Sequence, residues 1–481
     1  MAGIGVKLNR IYNKKSLLAH LAGFAYSAVT TIAPMVIVMA EVFVMEKVLD
    51  YETLNYTVRE LFACTILYIF IFSLLTASPF NAILSRYMSD VIYEERYDDI
   101  MPCFYMGLII NMAVSCGVGI PFYIREYLVG GVDPFFVLLS FIGYVALVFV
   151  FYSMLYLSIC KDYVKITLFF FIGVLFGILM SLLLVRVFGM DTLTGMLLSL
   201  DAGFLLTACL EFAQLRSYFR ENSRNYRKVL PYFRKYWPLI LSNFMYTLSL
   251  YIHNFVFWTT DMRIVVANTY VCAEPYDMAT FIALITNVSS SMIFISNVEM
   301  RFHGKYKHYS ESVIGGRLVD IESAKKQMFQ QLSGELMNLA RVQFTISVVL
   351  FLLFIVVLPM LGFSGLVMQI YPALAVGYYV LFLMYGELIF LYYYNDLTGA
   401  VLTSAVMLFV TLIGSIIATR LDSIWYGIGL FAGGVAAWTM GYIRLRWVEK
   451  NLDRHIFCNG TLLKRGRGKC PSSRVYVKRG S

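Results

Sequence analysis

An all-α membrane fold is predicted for this chain by three observations. Of its 481 residues 59% are apolar and only 14% charged, long apolar runs recur from end to end, and Lys and Arg gather in alternate connections. Soluble domains are about half apolar and a quarter charged, so the composition excludes an ordinary globular protein. The net charge of +9 could signal a nucleic-acid partner, but the basic residues follow the connections and form no single patch. The excess reads as the positive-inside bias of a membrane protein, with the lipid bilayer as partner and no nucleic acid.

A helix crosses a hydrocarbon core of roughly 30 Å with about 20 apolar residues. Twelve such windows lie near residues 21–45, 60–84, 101–124, 134–159, 164–187, 193–215, 237–259, 277–299, 341–361, 370–393, 397–419 and 424–445. Connections on the side of the N-terminus hold 33 of the 39 Lys and Arg residues, against six on the other: Lys47, Arg59, Arg125, Arg186, Arg263 and Arg420. That asymmetry predicts both termini in the cytoplasm and an even number of spans.

In chain order, residues 1–16 form a basic amphipathic start, with Ile4, Leu8 and Ile11 among Lys7, Arg10 and Lys14. The first window is an anchor and not a cleavable signal peptide, being too long and carrying Glu41. Six spans fill residues 17–215, and a basic connection at 216–236 separates them from six more at 237–447, a layout typical of transporters built from two repeated lobes. Duplication rests on hydropathy, without residue-level repetition. Inside the second half, Ile321, Met328, Leu332, Leu336 and Leu339 recur at helical spacing. This predicts an amphipathic helix within a cytoplasmic loop at 300–340, lying on the inner leaflet or docking a cytoplasmic partner. Residues 448–481 form a basic cytoplasmic tail. Prolines in or beside spans, Pro34, Pro79, Pro121, Pro238 and Pro372, permit kinks. The eight cysteines, Cys64, Cys103, Cys116, Cys160, Cys209, Cys272, Cys458 and Cys470, contain no Cys-x-x-Cys pair and fall mostly in spans. They are expected to be inert small hydrophobes, not disulfide partners or metal ligands.

Charges near the bilayer centre are costly, so each intramembrane ionisable group is a candidate functional site. The candidates for a substrate path or proton coupling are Glu41, Asp201, Glu211 and Glu387, with His253 and His20 weaker signals because neutral imidazole is tolerated. Each acid has a competing structural reading, pairing with another helix. An acid-lined path would suit a cationic or polyhydroxyl substrate. No Gly-x-x-x-x-Gly-Lys-Ser/Thr loop, no His-Glu-x-x-His site and no loop above about 40 residues is present, so no enzyme, metal or cofactor is expected. Transport would then draw on an ion gradient, the membrane potential or a partner that pushes the substrate.

Particular stretches resemble a known family. Met1-Ala-Gly-Ile-Gly5, running through Lys7-Leu8-Asn9-Arg10 to Ser16-Leu17-Leu18, is similar to the start of the PelG family, the inner-membrane component of Pel exopolysaccharide export. Ser85-Arg86-Tyr87-Met88-Ser89-Asp90, Tyr93 to Asp98, Tyr276-Asp277 through Thr286-Asn287 to Val298-Glu299-Met300-Arg301-Phe302, and Leu452 to Phe457 extend the likeness over residues 1–457. Lys7 departs from the family's usual acidic residue, and the tail after Cys458 has no typical counterpart. The resemblance implies the multidrug, oligosaccharidyl-lipid and polysaccharide exporter superfamily, with two six-helix lobes around a central cavity. It implies export of a Pel-type amino-sugar polymer for biofilm matrix, with a cytoplasmic glycosyltransferase (PelF-like) and membrane proteins (PelD- and PelE-like) as partners. Arg86, Asp90, Glu299 and Arg301 match family blocks; they would serve a cytoplasmic gate, partner docking or a structural ion pair at the rim. Within the superfamily a lipid-linked oligosaccharide flippase would call for mid-span basic residues, which are nearly absent. A cation-coupled drug antiporter, and a membrane scaffold for a glycosyltransferase, remain the alternatives.

Overall fold

The computed structural model describes residues 37–160, 162–297, 302–360, 362–363 and 365–459. Its described helices are α1 (37–48), α2 (Tyr56–Tyr93), α3 (Ile100–Arg125), α4 (Pro134–Ile159), α5 (Tyr163–Leu182), α6 (Thr192–Tyr218), α7 (Leu230–Lys235), α8 (Trp237–Ser249) and α9 (Ile252–Phe257). A hairpin of β1 (Ile264–Val266) and β2 (Tyr270–Cys272) follows. Then come α10 (Glu274–Asn297), α11 (His303–Gly315), α12 (Leu318–Met360), α13 (Gly365–Tyr393), α14 (Leu397–Ala418) and α15 (Ile428–Asn459), the last kinked at Asn451.

Helix starts are fixed locally by aspartates. Asp133 accepts from the amides of Phe135 and Phe136 at 3.0 and 3.2 Å, with Pro134 preset for the first turn of α4. Asp191 caps α6 through Thr194, and Asp396 caps α14 through Gly399. Each supplies an acceptor to amides that have no partner inside the helix. The interior prolines Pro79, Pro121 and Pro372 sit within continuous helices, whereas Pro238 begins α8.

Nine of the described helices, α2 to α6 and α12 to α15, are long and apolar enough to cross a membrane, so the chain is a multi-pass membrane protein. Apolar side chains turned outward agree: Phe171, Leu175 and Leu179 on α5, Leu352 and Val356 on α12, and Ile413 and Ile417 on α14 are exposed. Such a belt suits lipid, where outward apolar surface costs nothing. Each of the other three expected spans is also occupied by helix over its described part. The window at 21–45 is described only from residue 37. The window at 237–259 is two short helices, and the window at 277–299 is occupied by α10 as far as Asn297.

Two further features differ from expectation. Residues 321–339 are no separate surface helix; they continue into the ninth window as the 43-residue α12. Met328, Leu332 and Leu339 are buried in protein, and Phe329 stacks on Tyr394 at 5.7 Å. The apolar stripe therefore covers the ends of neighbouring helices. The hairpin pairs Ile264 with Cys272 and Val266 with Tyr270 through a tight turn, where Ala267 and Asn268 both have positive φ.

The core lies in two main clusters. One gathers residues between Val38 and Ala208; the other gathers residues between Tyr246 and Leu452 together with Cys64, Tyr68, Ile71 and Leu75 of α2. In the first, α5 and α6 approach through small residues. A Cβ at Gly203 would lie 2.9 Å from the carbonyl oxygen of Gly173, and one at Gly173 would collide with the Thr207 hydroxyl. Close contact through Gly and Thr is how helices associate where lipid removes the hydrophobic drive between them. Gly203→Val should therefore lower the apparent melting temperature in detergent, with a cost of about 1–3 kcal/mol. Gly117→Ala, where an added Cβ meets nothing within 4 Å, should leave the melting temperature nearly unchanged.

Candidate functional site

The four acids expected within spans are all described and all buried: Glu41, Asp201, Glu211 and Glu387 are at most 1% exposed. A carboxylate at bilayer depth ordinarily pairs with a cation or faces a polar path. None of the four has an ion-pair partner among the described residues, and the atoms Glu41 Oε1, Asp201 Oδ1 and Oδ2, Glu211 Oε1 and Oε2, and Glu387 Oε2 have no hydrogen-bond partner there.

Glycines make room for three of them. Glu41, on α1, fills the notch between α5 and α6: a Cβ at Gly177 would collide with its Oε1, and one at Gly203 would come within 3.5 Å. Asp201 points from α6 to α4, where a Cβ at Gly143 would collide with its Oδ1. Residues 201 and 203 lie about 200° apart around a helix. Glu41 and Asp201 therefore flank α6 from opposite sides at nearly one depth. Glu211 lies ten residues along α6, about 15 Å away. In the second half Glu387 of α13 sits against Gly441 of α15, whose Cβ would collide with Oε2.

His253 is placed differently. On α9, just beyond the break, its Nδ1 is 2.9 Å from the Tyr276 hydroxyl and its Nε2 3.2 Å from that of Tyr378. Tyr378 gives its hydrogen to the carbonyl of Leu250 at 2.9 Å, so it accepts from Nε2, and Nδ1 accepts from Tyr276. The neutral ring is satisfied on both sides and ties the break to α10 and α13. Beside it Asp277 accepts from Asn254 at 2.7 Å, from the Trp258 indole at 3.0 Å and from the Ala273 amide at 2.9 Å. This network holds the short helix α9, the hairpin and α10 together.

Along α2 the two halves of the chain meet. At one end Tyr68 stacks on Trp258 at 5.2 Å and meets Tyr270 edge-on at 4.9 Å, while Phe122 of α3 lies 5.5 Å from Tyr270. The Tyr68 hydroxyl donates to the carbonyl of Val271 at 2.9 Å and accepts from its amide at 3.0 Å, extending the hairpin edge. Midway, Asn243 of α8 donates to the carbonyl of Ser78. At the other end Arg86 and Asp90 pair at 3.5 Å, Asp90 accepts from the Tyr232 hydroxyl at 3.2 Å, and the Arg86 guanidinium lies over the Tyr236 ring. Arg86 and Asp90 thus anchor the 216–236 connection to α2. Glu299 and Arg301 lie outside the described residues.

Sequence reasoning did not single out Glu126, fully buried just past the end of α3 beside the Tyr270 hydroxyl. It also passed over Glu335, half satisfied by Gln331 at 2.7 Å, and the buried Asp396. Asp396 is bound by Arg444 at 2.5 and 2.9 Å. All three stand at or beyond span ends, where a charge raises no alarm in a hydropathy scan.

Residues 1–457 match the model of the PelG family, described as "Putative exopolysaccharide Exporter (EPS-E)". The chain belongs to the PelG family. No curated protein matches it. Among solved structures, an outward-facing multidrug-resistance transporter of the MATE family in the MOP superfamily is 13% identical, with 89% of this chain and 96% of that chain covered at a TM-score of 0.59. The MATE transporter ClbM in complex with Rb+ is 14% identical with the same coverage and TM-score. The eukaryotic MATE transporter AtDTX14 is 13% identical, covering 93% of this chain and all of that one, at 0.54. At such identities the likeness shows the fold alone: this PelG-family chain has the architecture of MATE transporters.

The Asp396 pair gives a test of how the N-terminal end of α14 is held. Burial alone would raise this carboxyl, and Arg444 outweighs burial and holds it below its ordinary value. The pair's contribution is then present above the unfolded aspartate value near 4 and is lost as pH falls through the folded value. Asp396→Asn should cost about 2 kcal/mol at neutral pH, read as a lower melting temperature, and the gap to wild type should narrow in acid.

Proposed function

We propose that this chain exports a Pel-type exopolysaccharide, an amino-sugar polymer, across the bacterial cytoplasmic membrane for the biofilm matrix. The family match over residues 1–457 carries the reading; the MATE fold and the buried acids support it. In this reading twelve spans form two six-helix lobes around a central path with both termini in the cytoplasm, and the halves rock about the α2 seam. The aromatic cluster of Tyr68, Phe122, Trp258 and Tyr270 forms the outer gate, where rings suit the apolar faces of sugars. Arg86 and Asp90, tied to the 216–236 connection, form the inner gate.

Glu41, Asp201, Glu211 and Glu387 serve ion coupling or attract a cationic polymer. They are the uncompensated acids at bilayer depth, and a fold neighbour was solved with Rb+. The PelF-like glycosyltransferase would deliver the growing chain at the cytoplasmic face, with PelD- and PelE-like proteins beside it.

The direct test is deletion in the native host followed by assay of sugar polymer in medium and cell fractions. Extracellular polymer should vanish, polymer or its nucleotide-sugar precursor should build up inside, and the plasmid-borne chain should restore secretion. Accumulation of a lipid-linked oligosaccharide instead would move the assignment to a flippase. Unchanged polymer with altered tolerance of organic cations would move it to a drug antiporter.

A further inference from the structure

The eight cysteines read as inert in the sequence, but two of them meet across the seam between the halves. Cys64 of α2 and Cys272 of β2, 208 positions apart, have their sulfurs 2.9 Å from one another, and both are buried. They lie one turn and one residue from the Tyr68–Val271 contact, inside the aromatic cluster that closes this end. We propose that Cys64 and Cys272 form a reversible disulfide, a covalent latch that fastens α2 to the hairpin and keeps the seam from parting there.

Three observations carry this. The thiols come from different halves of the chain and face each other with no intervening group. A disulfide needs the sulfurs to approach by only roughly another 0.9 Å, to about 2.05 Å. The elements bearing them are already held in register by the two hydrogen bonds between Tyr68 and Val271. Glu60 completes a trio whose ligand atoms lie within 4.8 Å of one another, which raises a metal as the rival occupant. Two thiolates on one zinc at about 2.3 Å each would stand roughly 3.7 Å apart; the observed contact is shorter, and it favours the sulfur–sulfur bond.

The chemistry is thiol–disulfide exchange with an oxidant that itself carries a disulfide. One cysteine thiolate attacks the oxidant, breaking its S–S bond and releasing one thiol. The second cysteine then attacks the mixed disulfide, the Cys64–Cys272 bond forms, and the oxidant departs as its dithiol. The two cysteine protons end on the oxidant's sulfurs, and its disulfide takes up the electron pair. With the orientation proposed above, this end faces the extracytoplasmic side, where disulfides persist. Since both sulfurs are buried, exchange requires the seam to part, so bond formation follows opening at this end.

The test is a count of maleimide–polyethylene-glycol tags on the denatured full-length protein, after membranes are treated with oxidised glutathione. Wild type should carry two tags fewer than its eight cysteines and regain both after dithiothreitol, whereas Cys64→Ser and Cys272→Ser should give one count before and after reduction. Secretion by oxidant-treated cells should fall in wild type and persist in Cys64→Ser. A full tag count in oxidised wild type overturns the latch, and so does stoichiometric zinc in purified wild type that is lost in Cys64→Ser. The tag count is independent of the substrate, so failure of the export reading would leave it standing.

Discussion

Burying carboxyl groups among hydrocarbon without a counter-charge is the constraint around which the rest of this molecule is arranged. Glu41, Asp201 and Glu387 each find space only because a neighbouring helix offers a glycine: Gly177 and Gly203 for the first, Gly143 for the second, Gly441 for the third. A Cβ at Gly177, Gly143 or Gly441 would collide with the carboxyl oxygen, whereas one at Gly203 would come only into contact with Glu41, at 3.5 Å. The same absence of side chains lets α5 and α6 approach to backbone contact, so the packing that holds the first half together also builds the notch for Glu41. A purely structural acid would gain stability from a Lys or Arg within reach, and the described cores of both halves place none beside these groups. In the export reading proposed above, these groups would be where a mobile cation or a passing cationic substrate binds.

The second organising feature is the long helix α2, which touches both cores. Its three attachments differ in kind: aromatic stacking and the two Tyr68–Val271 hydrogen bonds with the hairpin at one end, a single amide-to-carbonyl hydrogen bond midway, and an ion pair with tyrosine contacts at the other. Rings slide and separate with little directional penalty, whereas hydrogen bonds are won or lost over fractions of an ångström. Parting the hairpin end therefore means giving up the two Tyr68–Val271 hydrogen bonds as well as the ring contacts. The break between α8 and α9 contributes a jointed element at that seam, stiffened by the Asp277 and His253 networks.

Much of this was legible in the sequence because apolar runs in lipid leave few alternatives to a helix. The windows at 134–159 and 397–419 match α4 and α14 within a residue. Where the reading departed, the cause was local. At 237–259 hydropathy stayed high through a break that no Gly or Pro marks, since the interruption is sustained by hydrogen bonds from distant residues such as Tyr378 and Asp277. The hairpin strands have three residues each, too short for an alternation to register. The stripe from Ile321 to Leu339 was correctly seen as helical, but its partner was protein and not lipid, which periodicity alone does not distinguish. Among the candidate residues, the acids could be picked out from their cost; their glycine seats, tens of residues or more away on other helices, could not. Cys64 and Cys272 illustrate the same limit, since only the fold brings them together.

The central claim is that the buried acids without a counter-charge work in export and are not ballast in the bundle. It is tested most directly by quantifying secreted polymer from cells carrying Asp201→Asn, Glu387→Gln and the double substitution, each isosteric and each matched to wild type for protein in the membrane. The account predicts loss of secretion at unchanged abundance in at least one single variant and in the double. Full secretion from the double variant would contradict it and leave the carboxyls as tolerated features of the packing.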